Sequence, residues 1–185
     1  MYERLLNWDR DTFIYLNGLG TEAYDVFWLT STKIYSWIPL FLIFIILFIK
    51  KFPRKQAIYK ICTTVGLAVF ITVLTLVVKN GIKRVRPCND AVLKDFIRIL
   101  ETPSDYSFFS GHAASSWAIT VLVFLLMRSR VKWAAIFFIW PLLFTYSRIY
   151  VGVHYPLDLI VGTIVGIVSG LLFQRIYYSK VHVTL

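Results

Sequence analysis

Long apolar blocks separated by short charged segments run the length of this chain. A helix crossing a hydrocarbon core of about 30 Å needs about 20 mostly apolar residues, each adding about 1.5 Å. Residues 37–49 (WIPLFLIFIILFI) are wholly apolar but short. They reach spanning length by taking in the preceding stretch with Lys33, so the first span is expected to start near Asp25. The second covers 57–78, interrupted by Lys60 and closed by Lys79. The third covers 113–127, short for a span, and the fourth, over 133–146, carries Pro141, which predicts a kink. The fifth covers 155–178, where Gly162, Gly166 and Gly170 share a face of the kind that lets helices approach closely in lipid. Residues 1–20 differ, because Leu5, Leu6, Trp8, Phe13, Ile14 and Leu16 interleave with Glu3, Arg4, Asp9, Arg10 and Asp11. That pattern predicts an amphipathic helix lying in the interface. Without a basic start, a long apolar centre or a small-residue cleavage site, it is not a signal peptide and is expected to stay in the mature protein.

The expected fold is therefore all-α: a polytopic membrane bundle of about five transmembrane helices plus the interfacial helix, forming one membrane-embedded domain over 1–185. Composition agrees, with 58% hydrophobic and 16% charged residues against soluble averages of roughly 45 to 50% and about 25%. An aromatic content of 17% also excludes disordered and low-complexity classes. Cys62 sits in an apolar run and Cys88 in a polar loop, poorly placed to pair. The net charge of +10 does not point to nucleic acid, since the charges lie at the edges of apolar stretches. They define topology instead. The 50–55 loop (Lys50, Lys51, Arg54, Lys55), the 128–132 loop (Arg128, Arg130, Lys132) and the tail (Lys180) contain no acid; all 10 Asp and Glu lie in the first 25 residues, in the 80–111 loop, or at Asp158. By the positive-inside rule the acid-free loops face the cytoplasm, which puts the N-terminus, the 80–111 loop and the 147–154 turn on the outer side.

Three polar clusters fall on that outer side: KNGIKRVRP (79–87), SGH (110–112) and SRIYVGVHYPLD (147–158). Together they supply three well-placed cations (Lys79, Arg86, Arg148), two histidines, a carboxylate and a helix start at Ser110 and Gly111. Phosphate oxygens favour fixed donors, arginine forks and helix N-termini. His154 and Asp158, four apart, share a helix face, so the carboxylate can fix the imidazole tautomer and leave the other nitrogen as a nucleophile. His112 is then the candidate general acid. Taken singly, Lys79 and Arg86 also read as interface anchors, Ser110 as an N-cap, His112 as an interfacial histidine, and Arg148, His154 and Asp158 as a structural polar cluster. Their common side of the membrane favours a single site. Lys83, Arg84, Lys94 and Arg98 are expected to be headgroup contacts or a solvated face. Trp37, Trp133 and Trp140 are expected to be belt or packing residues.

Lys79, six residues, then Arg86-Pro87; Ser110-Gly111-His112; and Ser147-Arg148, five residues, His154, three residues, Asp158 together resemble the signature of the type 2 phosphatidic acid phosphatase superfamily. The resemblance covers 79–158 and fits a small bacterial inner-membrane member with its site facing the periplasm. It implies that His154 is the nucleophile of a phosphohistidine intermediate, that Asp158 orients it and that His112 is the acid. Lys79, Arg86, Ser110, Gly111 and Arg148 would bind phosphate, with no metal or other cofactor. One departure is Phe109, where the family's pattern has proline. The implied partners are the bilayer and a lipid phosphate, with no nucleic acid and an oligomeric state that the residues leave open. Among the substrates the family allows, undecaprenyl pyrophosphate is favoured, because carrier-lipid pyrophosphate is released on the outer side. Lipid A 1-phosphate, phosphatidylglycerophosphate and phosphatidic acid are alternatives. A non-catalytic lipid-phosphate binding protein and a vanadium haloperoxidase are the alternatives of other classes; the apolar spans argue against the second. His182, alone in the tail, makes no metal site. The absence of a Walker loop excludes a kinase.

Overall fold

The computed structural model describes residues 2–181, and His182 lies outside the described residues. The chain forms α1 (Tyr2–Gly18), α2 (Asp25–Ser31), α3 (Ile38–Lys51), α4 (Arg54–Ile82), α5 (Gly111–Met127), α6 (Ile139–Tyr150) and α7 (Pro156–Val181), with no strand among the described residues. Ile34–Lys51, Arg54–Asn89 and Pro156–Lys180 are long and apolar enough to cross a membrane, while Gly111–Met127 and Ala134–Tyr150 are apolar but shorter.

The first expected span is not one helix from Asp25. Helix α2 ends at Ser31, Lys33 is extended (φ −86°, ψ 130°), and a 3-10 turn over Ile34–Trp37 precedes α3. Two features break it: Lys33 turns aside to pair with Glu101, and Pro39 stands in the first turn of α3, where a missing N–H is tolerated. The irregularity expected at Pro141 takes a similar form. A 3-10 turn over Ala134–Phe138 leads into α6, which holds Pro141 in its first turn.

Helix α5 is the centre of the bundle, packed by α7 most extensively and by α4 and α6. Its 17 residues include Ala113, Ala114, Ala118, Leu122 and Leu126, all buried. Enclosure by protein explains how so short a helix serves. The glycine ladder of α7 lies against it: a Cβ at Gly162, Gly166 or Gly170 would meet the carbonyl oxygens of Ser110, Ala114 and Ala118 at 2.7, 2.5 and 2.9 Å. The three glycines thus seat the start of α7, with Asp158, against the start of α5, with His112. Ile43, Ile46, Val69, Val73, Ile164 and Val168 point outward, the inverse of a soluble bundle and suited to lipid contact. Lys60, which interrupts the second apolar run, is buried, its ammonium near the Leu126 carbonyl (3.4 Å) and 4.4 Å from the ring centres of Phe52 and Tyr177.

Helix α1 departs from a simple amphipathic reading. Its protein-facing stripe is Asp9, Phe13 and Asn17, all fully buried, whereas Leu5, Trp8 and Tyr15 are exposed. Asp9 was expected on the charged outer side; it is instead buried because it meets Arg84 and the Leu157 N–H. Asn17 donates to the carbonyls of Arg98, Ile149 and Tyr150 at 3.0 to 3.1 Å and accepts from the Arg98 N–H at 2.7 Å. The helix therefore ties the 83–110 loop to the end of α6.

Gly166→Val should force α5 and α7 apart and lower stability by about 1 to 3 kcal/mol, the usual penalty for overpacking. Gly66→Ala, whose Cβ would meet only Phe173 at 3.9 Å, should change little. Thermal unfolding in detergent compares the two, and equal midpoints would refute the packing role of the ladder.

Candidate active site

Helix ends bring the polar clusters together. Lys79 lies in the last turn of α4, Gly111 and His112 open α5, Arg148 lies in the last turn of α6, and His154 sits in the turn before α7 with Asp158 in the first turn of that helix. Since α4 runs from Arg54 to Ile82, these groups share the end of the bundle opposite the basic 50–55 loop. The 151–155 turn is closed by the Val153 and His154 N–H groups, which donate to the Arg148 carbonyl at 3.1 and 3.3 Å. Gly152 is essential to that turn, with φ +86° and the Arg98 carbonyl oxygen 2.6 Å from where a Cβ would stand.

His154 is buried, with its ring held at both nitrogens. Nε2 lies 3.0 Å from an Arg86 nitrogen, and Nδ1 lies 3.3 Å from Asp158 Oδ2 and 3.3 Å from Ser107 Oγ. A guanidinium only donates, so Nε2 is the acceptor and Nδ1 carries the proton, donated to Asp158. Asp158 in turn accepts from the Ser107 hydroxyl, from the Tyr155 N–H at 3.0 Å and from Arg84 at 2.7 Å. Burial, and then the charges of Arg86, Arg148 and Lys79, hold the His154 imidazole well below its usual range, favouring the neutral ring.

The three expected phosphate cations all carry carboxylates. Asp105 meets Lys79 at 2.6 Å and Arg86 at 2.8 Å, and its carbonyl accepts from Arg86 Nε at 2.9 Å. Arg148 meets Glu101 at 3.2 Å and the Thr32 hydroxyl, and its Nε is unpartnered among the described residues. Glu101 also pairs with Lys33. Burial pushes both acids up, but Lys79 and Arg86 around Asp105, and Lys33 and Arg148 around Glu101, outweigh it, so both are held below the usual carboxylate range.

A cavity of about 280 Å³ opens beside these groups, lined by Lys79, Arg86, Asp105, Gly111, His112 and Arg148. The last three also line a cavity of about 700 Å³ that runs between α3 and α4 to Phe41, Ala68, Ile119 and Trp140. A third, of about 240 Å³, shares Phe41, Ala68 and Ile119 and continues past Phe44 and Ile61. A polar pocket thus passes into an apolar groove. His112 stacks at a tilt on Phe144, with 4.7 Å between ring centres. Ser110 is buried as the N-cap of α5, its hydroxyl accepting from the Ala113 N–H at 3.4 Å, so Gly111 rather than Ser110 faces the pocket.

Two loop cations expected as headgroup contacts or a solvated face are instead half-buried and paired with acids. Arg84 bridges Asp9 and Asp158 and lies 4.1 Å from the Tyr155 ring centre, while Arg98 pairs with Asp25 at 2.8 Å. Both carboxylates bound to Arg84 are buried, so the guanidinium is drawn inward. Lys83 and Lys94 are exposed as expected. Of the tryptophans, Trp37 packs on Trp140, which also lines the larger cavity, and Trp133 is exposed. Sequence reasoning missed Asp105, Ser107 and Glu101. Asp105 and Ser107 stand just before Ser-Gly-His, and that adjacency was the only available signal. Among the described residues no three His, Cys, Asp or Glu side chains converge as a metal site would require.

The family model of the PAP2 superfamily matches residues 57–181. The chain belongs to that superfamily. Its relatives include the lipid A 4'-phosphatase of Bacteroides thetaiotaomicron, 30% identical over 97% of this chain and 81% of that protein. The undecaprenyl-diphosphatase of Sulfolobus acidocaldarius is 37% identical over 82% of this chain and 66% of that one. The crystal structure of Aquifex aeolicus LpxE superposes with a TM-score of 0.70 at 30% identity, covering 89% of this chain and 93% of that one. The chain is accordingly a phosphatase and an integral membrane protein.

Arg84→Ala would strand two buried carboxylates, and a loss of about 3 kcal/mol or more is expected. Adding Asp9→Asn should recover part of it. Detergent unfolding of the single and double variants measures this coupling; additive effects would contradict the bridge.

Proposed function

We propose that this protein removes a terminal phosphate from a membrane lipid, through a phosphohistidine at His154, on the outer face of a bacterial inner membrane. The observation that carries the reading is the passage from a pocket of Lys79, Arg86, Arg148 and His112 into the apolar groove between α3 and α4. A phosphate bound in the one and an alkyl chain in the other describe a lipid phosphate. Lys79, Arg86, Arg148 and the N–H groups at the start of α5, capped by Ser110 and opened by Gly111, would neutralise the phosphoryl oxygens. Nε2 of His154 would attack phosphorus in line once Arg86 turns from it to the phosphate. Asp158 keeps the proton on Nδ1 and stabilises the charge that develops on the ring. His112 would protonate the leaving oxygen and then take a proton from the water that cleaves the phosphohistidine. No step calls for a metal.

For the substrate, the similarity to a lipid A 4'-phosphatase over nearly the whole chain favours a phosphorylated lipid A. Undecaprenyl pyrophosphate, expected from the outward-facing site, is the second reading and is favoured by the undecaprenyl-diphosphatase relative.

Phosphate release from lipid A, undecaprenyl pyrophosphate, phosphatidylglycerophosphate and phosphatidic acid by detergent-purified protein tests this. Release from lipid A should be fastest, and His154→Ala should reduce it by at least about 10³-fold. Retained turnover in that variant would remove His154 as nucleophile, and a faster diphosphate reaction would reverse the ranking. EDTA should leave the rate unchanged. The profile of kcat/KM against pH should be a bell. Because the neutral His154 is favoured in the free enzyme, its acidic limb should have a midpoint below the ordinary histidine value of about 6.5. A flat profile between pH 5 and 9 would count against two titrating histidines.

A further inference from the structure

The site's own acids occupy the donors that a phosphate would need. Asp105 takes Lys79 with one carboxylate oxygen and Arg86 with the other, and its backbone carbonyl takes Arg86 Nε. The remaining Arg86 nitrogen donates to the Val153 carbonyl at 2.9 Å and lies against the lone pair of His154 Nε2 at 3.0 Å. The Asp105 side chain is 56% exposed, whereas those of Lys79 and Arg86 are 9% and 4% exposed. The carboxylate is therefore the partner that can leave for water while the cations stay inside the pocket. The cavity it borders also holds Gly111, His112 and Arg148, so any phosphate there meets Asp105 either as a competitor for the same donors or as a like charge close by.

We propose that Asp105 is an internal competitor for the phosphate pocket: its carboxylate holds Lys79 and Arg86 in the empty site, yields them to the substrate phosphate, and takes them back as inorganic phosphate leaves. The inference rests on the proposed role of this pocket in phosphate binding. Its physical content is a set point for anion affinity. Two buried cations facing a third, Arg148, would hold a phosphate dianion tightly, and a hydrolase that retains its product stops turning over. A carboxylate within hydrogen-bonding distance weakens that grip without removing a single donor, and it keeps the cations neutralised between turnovers. It also restores Arg86 to His154 Nε2, keeping the nucleophile covered when no phosphate is present.

The neutral isostere isolates the charge. Inhibition by orthophosphate should tighten by about tenfold in Asp105→Asn, as expected for removing one nearby like charge in a partly screened site. Asp105→Ala should shift in the same direction, and Asp105→Glu, which keeps the charge, should stay near wild type. The inhibition constant is read from phosphate release in detergent, with thermal unfolding recorded for every variant. If Asp105→Asn does not fold, the Ala and Glu pair carries the same comparison. An unchanged or weaker inhibition in both neutral variants overturns the proposal. Lys79→Ala serves as the arm for the underlying reading and should weaken inhibition. If it does so while neutral substitution at Asp105 does not tighten it, the competitor role alone fails. If Lys79→Ala has no effect, the pocket is not the phosphate site and both readings fall.

Discussion

Three buried cations at one end of a helical bundle set the terms for the rest of this structure. Lys79, Arg86 and Arg148 are each less than 10% exposed, and charges so far from water must be compensated by partners. Asp105 and Glu101 compensate them from a single loop. Keeping that loop over the bundle then becomes a structural requirement, and several otherwise unconnected features serve it. Ser107 N–H donates to the Arg84 carbonyl, Leu100 N–H to the Val151 carbonyl, and Asn17 of α1 holds Arg98 by its backbone.

A second buried network runs through Arg84, which joins the N-terminal helix to Asp158 by way of Asp9. The carboxylate beside His154 is thereby fixed from four directions, by Arg84, Ser107, the Tyr155 N–H and the histidine itself. Glycine spacing supplies the remaining precision. Because α7 lies almost backbone to backbone on α5, Asp158 and the start of α5 are separated by one hydrogen bond, from the Ser110 N–H to the Asp158 carbonyl. Helix packing and site geometry are therefore one constraint, since anything that widens the α5–α7 contact also moves Asp158 away from the start of α5 and the cavity beside it.

Much of this was legible in the residues because membrane helices and phosphate sites both leave local patterns. Apolar blocks mark the long or apolar helices among the described residues, and the fixed spacings around Arg86, His112 and His154 mark groups that the fold brings to one end of the bundle. What stayed hidden was long-range pairing. Asp9 reads as part of a charged helix face, and only its distant partners, Arg84 and the Leu157 N–H, explain its burial. Arg84 and Arg98 carry the same charge as the exposed Lys83 and Lys94, and sequence alone cannot say which cation finds an acid. The break at Lys33 depended on Glu101, another distant partner.

If His154 is the nucleophile, phosphate passes through its ring on the way to water. The direct test is to mix the detergent-purified protein with lipid carrying a ³²P-labelled terminal phosphate, quench within milliseconds at alkaline pH, and locate the label by peptide mapping. Transient label is expected on the peptide containing His154, appearing before free phosphate and absent from His154→Ala. Free phosphate released with no labelled protein at any quench time, or label on a peptide lacking His154, would contradict it.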